Sequence, residues 1–177
     1  SPDSVHLISS AMQLAFVDRS RYLGDDDFVQ VPIKKLTSKA YAKDLRKRID
    51  LHKAKSFQES KKITPFPKES DETTHFTIMD KSGWTVTSTQ TINGWLGSGF
   101  VVPKTGIILN NEMDDFAQKV GATNLFGAVG GENNLIEPKK RPLSSMSPTL
   151  VLKGGKVKLA LGTPSGTRIL TLSLIHI

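Results

Sequence analysis

The sequence predicts an α+β fold, on three observations. Two segments near the N-terminus repeat apolar residues at helical spacing: Val5, Ile8, Met12, Ala15 and Phe16 in the first, and Tyr41, Leu45 and Ile49 in the second. Two later segments are pairs of strand-like runs joined by turn residues, at Asp80-Lys81-Ser82-Gly83 and at Gly154-Gly155. Between these parts lies a charged stretch from His52 to Glu72 with no sustained period. Helices before hairpins, with a further helix after them, fit a layered α+β architecture.

Taken in order, Ser1 suits a helix cap, Pro2 the first helical position and Asp3 the positive end of the dipole. This helix is expected to run to about Tyr22 and to end at Gly24, with its apolar stripe against the core. Asp25-Asp26-Asp27 is read as a solvated acidic loop rather than a metal cluster, because no His or further carboxylate follows at ligand spacing. Thr37 to Asp50 is expected to be a second helix, capped by Thr37 or Ser38, with Arg46-Lys47-Arg48 mostly on its wet side. Thr64-Pro65-Phe66-Pro67 blocks regular structure in the connector, which reads as mobile. Thr73–Met79 and Trp84–Thr91 are expected to pair as a hairpin, which carries Thr91 back beside Thr73. Gly106–Asn110 reads as a short strand. Lys119–Pro138 is a long Gly- and Asn-rich loop of the kind that often forms a lid. Pro148–Leu152 and Lys156–Leu161 form the second hairpin, and Gly162–Gly166 leads into the last helix.

Composition excludes several classes. At 177 residues the chain is long enough for one domain with a sizeable core. It has no cysteine, so disulfides and a cysteine nucleophile are excluded. The net charge of +7 is scattered among acids and reads as a solvated surface rather than a nucleic-acid footprint. No segment reaches the roughly 18 uninterrupted apolar residues of a membrane-spanning helix.

Several stretches carry residues with chemistry. Thr73 is a candidate nucleophile if the chain is cut between Glu72 and Thr73. The freed α-amine, with an ordinary pKa of about 7.7–8.0, is then a base attached beside the hydroxyl. On local pattern alone, Thr73-Thr74 is an ordinary start to a strand. Asn93-Gly94-Trp95-Leu96-Gly97-Ser98-Gly99 is not a phosphate loop, since no Gly-Lys-Ser/Thr follows. The carboxylates of Glu112-Met113-Asp114-Asp115 are compatible with an acid/base pair of the glycosidase kind. Ser144-Ser145 lacks a Gly-x-Ser-x-Gly frame.

In order, Thr73-Thr74-His75-Phe76 with Asp80, Thr91-Ile92-Asn93, Gly106 through Phe116, Arg141 through Thr149, and Gly162 through Ile169 resemble the small subunit of γ-glutamyltranspeptidases. Asp18 through Asp25 and Lys39 through Lys43 resemble the end of that family's large subunit. The resemblance implies the four-layer αββα sandwich of N-terminal-nucleophile hydrolases, incomplete in this piece of a longer precursor. Residues 1–72 would be the C-terminal part of the large subunit with its connector, and 73–177 the N-terminal part of the small subunit. It also implies self-cleavage before Thr73, attack by Thr73 on γ-glutamyl amides such as glutathione, and transfer to water or to an amino acid or peptide. By position, Thr91 would hydrogen-bond the nucleophile. Ser165 and Gly166 would supply the oxyanion hole, where the family has two glycines. Asn93, Glu112 and Asp115 would hold the substrate α-ammonium, and Ser144 and Ser145 its α-carboxylate. Phe126 would lie in the lid, where bacterial relatives often have a tyrosine bonded to the Asn matching Asn93. No metal or organic cofactor is implied, and the location implied is periplasmic or secreted. Alternatives are a related acylase acting on another amide, such as a glutaryl amide, and an uncleaved, non-catalytic binding or scaffold homologue. From Leu170 onward the sequence leaves the family pattern and reads as a truncation or foreign tail.

Overall fold

The computed structural model describes residues 1–55 and 73–175, and these form two units. The first takes its described residues from 1–55, 116–124 and 128–143; the second takes them from 73–115, 125–127 and 144–175. Both the connector after residue 55 and Glu72, on one side of the expected cut, lie outside the described residues.

In the first unit, α1 spans Pro2–Tyr22 and starts as expected, with the Ser4 N–H donating to Ser1 Oγ at 3.4 Å. Leu23 ends it in an extended conformation. The buried face differs from the expected stripe. Val5 and Ile8 are 66% and 48% exposed, while Ser10 and Leu14 are buried. At 3.6 residues per turn, those two lie roughly opposite Val5 and Ile8. This helix is apolar on more than one side, so the neighbours it meets decide which side is covered.

The helix expected over Thr37 to Asp50 is shorter, and a separate short helix stands before it. A four-residue α2, Ile33–Leu36, precedes α3, Lys39–Arg46, which Ser38 caps by accepting from the Tyr41 N–H at 3.1 Å. Beyond Arg46 the chain tightens, with Arg48 N–H to Leu45 O and Ile49 N–H to Arg46 O, so the helical path continues as i+3 turns. Tyr41 and Leu45 are half-buried and Ile49 is buried, as their spacing predicts. The Tyr41 hydroxyl donates to Asp18 Oδ1 at 3.0 Å, which ties α3 to α1.

The acidic loop is a correction. Asp26 and Asp27 are exposed, but Asp25 is only 6% exposed and grips Arg141. The Arg141 backbone N–H and Nε both donate to Asp25 Oδ2, at 2.8 and 3.0 Å, while its Nη2 reaches Asp25 Oδ1 and Asp27 Oδ2.

The second unit is built on two hairpins. β1, Thr74–Met79, pairs antiparallel with β2, Thr85–Gln90, in the register Thr74↔Gln90 to Met79↔Thr85. Asp80 Oδ1 accepts from the Ser82 and Trp84 N–H groups, and Gly83 takes φ +89°, so the turn forms where its residues require it. β3, Thr149–Lys153, pairs antiparallel with β4, Lys156–Leu161. Gly154 and Gly155 both have positive φ, 60° and 75°, the demand of a two-residue type I′ turn. The hairpins meet where Thr87 Oγ1 donates to Leu161 O at 3.4 Å.

The strand expected at Gly106–Asn110 does not form. Ser98 to Leu109 folds back on itself around Lys104 and Gly106, both at positive φ, leaving one isolated bridge, Val101↔Ile108. The last helix, α4, spans Ile169–Ile175 behind a short 3-10 turn, Gly166–Arg168, so the stretch from Leu170 continues a regular element.

Candidate active site

Every residue singled out as a candidate lies in the second unit. The hairpin register sets the first contact. Extending Thr74↔Gln90 by one residue brings Thr73 opposite Thr91, and Thr73 Oγ1 donates to Thr91 Oγ1 at 3.2 Å. Thr73 is 8% exposed, immediately before β1. Thr91 Oγ1 also accepts from the Asn93 N–H at 2.9 Å. The Thr91 hydroxyl thus fixes both the Thr73 side chain and the turn after β2.

Asn93 is 3% exposed and has φ +76°, a left-handed conformation that asparagine tolerates better than most residues. Its Nδ2 donates to Asn111 O at 3.1 Å. Asn111 closes the other side: its Oδ1 accepts from the Gly94 N–H at 2.7 Å, and its Nδ2 donates to Asp114 Oδ2 at 2.9 Å. A continuous chain of hydrogen bonds therefore runs from Thr73 through Thr91, Asn93 and Asn111 to the acidic turn. Asn111 lies within the Gly106–Phe116 motif, but the sequence alone assigns it no role. An asparagine offers two donors and an acceptor on one planar group, which is what bridging two loops and a carboxylate requires.

Glu112–Asp115 forms one 3-10 turn, which gathers its carboxyl groups over a short path. Burial pushes the Glu112 carboxyl above the ordinary range, while a hydrogen bond with Asp115 pulls the other way. The turn is thus a partly desolvated acceptor site, with one carboxyl more easily protonated than usual.

The Gly162–Gly166 loop is held at both ends. His75 lies two residues after Thr73, and therefore on the same face of β1. Its Nδ1 is 2.8 Å from Thr89 Oγ1, and its Nε2 is 3.1 Å from Thr87 Oγ1. Gly162 sits against this ring: a Cβ there would lie 2.3 Å from His75 Nδ1. At the other end, a Cβ on Gly166 would lie 2.9 Å from Phe126 Cδ1. Phe126 is therefore closed over Gly166, and its carbonyl accepts from Thr167 Oγ1 at 3.5 Å. Ser165 has φ +112° and ψ +39°, and Gly166 has φ +53°. Nothing in the sequence assigns His75 a role; its hydroxyl partners become visible only once the strands pair.

Ser144 is exposed, and its Oγ accepts from the Met146 N–H at 3.1 Å. Ser145 is half-buried. Their hydroxyls belong to the same unit as Thr73, but the hydrogen-bond chain from Thr73 does not run through Ser144. The three carboxylates of Asp25, Asp26 and Asp27 lie close enough to hold a cation, and the Arg141 guanidinium occupies that role.

The family model described as gamma-glutamyltranspeptidase matches residues 1–177, so the stretch from Leu170 lies within the match. The chain is 49% identical over 171 residues to a glutathione hydrolase proenzyme of Escherichia coli K12, covering 97% of this chain and 30% of that protein. It is 40% identical over 169 residues to an acylase ACY 1 proenzyme of Pseudomonas sp. SE83, covering 96% of this chain and 28% of that protein. Among solved structures it resembles the gamma-glutamyltranspeptidase of Pseudomonas nitroreducens complexed with L-DON, at 54% identity and a TM-score of 0.56, over 57% of this chain and 52% of that one. The chain spans about 30% of the length of the glutathione hydrolase it matches. With the family model matching from end to end, the chain belongs to the γ-glutamyltranspeptidase family.

Proposed function

We propose that this chain carries the nucleophile of a γ-glutamyltransferase and glutathione hydrolase, with Thr73 in that role. The observation that carries the reading is the hydroxyl pair of buried Thr73 and half-buried Thr91 at the head of β1. In the precursor, Thr73 Oγ1 attacks the Glu72 carbonyl carbon. The C–N bond breaks, the Thr73 nitrogen takes a proton, and an ester forms on Oγ1. Water hydrolyses that ester, leaving a Glu72 carboxylate and a free Thr73 amine and hydroxyl.

The same hydroxyl then attacks the γ-carbonyl of a glutamyl amide such as glutathione. The α-amine takes the hydroxyl proton and returns it to the leaving amine. Backbone N–H groups at Ser165 and Gly166 stabilise the oxyanion. These donors do not depend on side-chain identity, so serine serves where relatives carry glycine. The γ-glutamyl ester passes to water or to the amine of an amino acid or peptide. Asn93, Glu112 and Asp115 receive the α-ammonium, whose three donors match acceptor-only carboxylates. Ser144 and Ser145 donate to the α-carboxylate, and Phe126 is part of the lid. No metal or organic cofactor enters these steps.

The whole protein would be a heterodimer of large and small subunits cut from one precursor, built as a four-layer αββα sandwich and acting in the periplasm or outside the cell. Residues 1–72 would end its large subunit and 73–177 begin its small one.

A second reading has a specific support in the acylase relative at 40% identity. A site for a glutaryl amide has no α-ammonium to hold, whereas the acidic turn here is linked by hydrogen bonds to Asn93. That linkage favours the glutamyl reading. The test is N-terminal sequencing and intact mass of the full-length product and of Thr73→Ala. The parent is expected as two chains, the second beginning at Thr73, and the variant as one. A Thr73→Ala protein that splits at the same bond without added protease refutes the self-cleavage.

A further inference from the structure

The first unit contains none of the candidate active-site residues, yet it is assembled from both sides of the connector. Its described residues 1–55 precede the proposed cut, while 116–124 and 128–143 follow it. We propose that this unit is part of the docking interface between the two chains left by cleavage, and that Asp25 is a fastener of it, held by Arg141. The proposal rests on the reading that the chain is cut before Thr73. It goes beyond that reading in naming what keeps the pieces together.

Three sets of contacts cross from one piece to the other. The first is the fastener. Asp25 receives the backbone N–H, Nε and Nη2 of Arg141, so both of its oxygens are occupied. The Asp25 side chain is 1% exposed, although the Arg141 side chain is 64% exposed. An exposed ion pair contributes little. A buried carboxylate differs: without its partner it is left as an uncompensated charge. The guanidinium holds the Asp25 carboxyl well below the usual aspartate range. Asp26 and Asp27 add exposed charge around Arg141, which salt screens; Asp25 is sheltered from that screening.

The second set caps α1. Asn133 Nδ2 donates to Tyr22 O at 3.0 Å and to Arg21 O at 3.4 Å, and Arg19 Nη2 donates to Leu143 O at 3.4 Å. Carbonyls at the end of a helix need partners, and here Asn133 supplies them from beyond the cut, while Arg19 reaches the other way from α1. The third set is close backbone approach. A Cβ on Gly131 would lie 1.9 Å from Ser20 O, and one on Gly24 2.3 Å from Asn133 O. Only glycine fits at either place. Lys140, which is buried, adds its ammonium 5.8 Å from the Phe28 ring centroid.

The contacts are directional and paired across the gap, which is the pattern of an interface that stays specific when the covalent link is gone. Before the cut, the connector holds the two pieces at high effective concentration. Afterwards, these contacts are among those that hold them.

The experiment uses the full-length protein with Thr73→Ala and a specific protease site placed in the connector, so that the cut is made by added protease alone. A parallel arm keeps Thr73 and receives no protease, and it reports self-cleavage separately. Complex dissociation is followed by native mass spectrometry and size-exclusion chromatography on dilution and with rising NaCl. The parent cut at the engineered site should remain one complex. Asp25→Ala and Arg141→Met should raise the dissociation constant by about tenfold or more, as expected for removing one partner of a hydrogen-bonded buried charge. Asp25→Asn keeps the volume and one acceptor and should fall between; it is the variant read where Asp25→Ala does not fold. A parent that separates on cutting overturns the proposal, and so do cut Asp25 and Arg141 variants that hold as tightly as the parent.

Discussion

Replacing Ser165 with glycine should stabilise the protein while leaving the reaction in place. Ser165 sits at φ +112°, ψ +39°. The left-handed minimum lies near φ +57°, ψ +47°, so φ is about 55° beyond it. A residue with a Cβ held in a sparsely populated region costs of order 1–3 kcal/mol. Glycine removes that strain but gives the unfolded chain more freedom, which offsets about 0.4–1 kcal/mol. The difference centres on about 1 kcal/mol, read as a rise in the urea midpoint. The assay is urea and thermal unfolding of the parent and Ser165→Gly, with an unchanged urea slope as evidence that only stability has moved. Turnover of a γ-glutamyl anilide should stay within about twofold, because the proposed donor is the backbone N–H. Gly166→Ala is the contrasting substitution. Its Cβ would meet Phe126 Cδ1 at 2.9 Å, so the ring must move and both stability and turnover should fall. A Ser165→Gly protein with a lower urea midpoint refutes the claim that this loop stores backbone strain.

Asp115→Ala should lower kcat/KM for a γ-glutamyl anilide by about a hundredfold or more, while processing continues, because the substrate ammonium loses a charged partner; an unchanged kcat/KM removes Asp115 from the site. The Glu112 carboxyl is raised by burial, so its ionised form is disfavoured in the folded state. Its favourable contribution is therefore full below the ordinary glutamate pKa and is lost as pH rises through the raised one. Glu112→Gln should flatten that part of the stability–pH profile, and an identical profile shows that the turn is not desolvated in solution.

What the sequence made legible was local. Ser1 and Ser38 cap helices because their hydroxyls reach N–H groups three residues away. Asp80 and Gly83, and Gly154 with Gly155, turn the hairpins because the chain there needs their particular conformations. The Thr73–Thr91 pairing follows from the first turn, since a fixed turn fixes the register. What escaped depends on distant partners. Asp25 is buried because Arg141, 116 residues later, comes to meet it, and no local pattern announces that. The covered side of α1 is chosen by its neighbours, so Leu14 is buried where Val5 and Ile8 are not. The Gly106–Asn110 run has strand-like residues, but the fold-back at Lys104 and Gly106 leaves it a single bridge. Asn111 and His75 are ordinary in sequence; they acquire work only when two loops or two strands close around them.

The alternation of β1 has a consequence for where a cut can be useful. Thr73, His75 and Thr77 point to one side of the hairpin, where Thr91, Thr89 and Thr87 stand opposite. Thr74, Phe76 and Ile78 point to the other, and all three are exposed. The two adjacent threonines are therefore not spares for each other. Cutting one bond later would also expose a threonine amine, but its hydroxyl would project from the wrong side of the ribbon, away from Thr91. A protease that erred by one residue would leave a protein with the right chemistry facing the wrong way. If the chain is cut as proposed, strand parity would act as a proofreader of the cleavage position, and a bond broken by the Thr73 hydroxyl itself would not make that error.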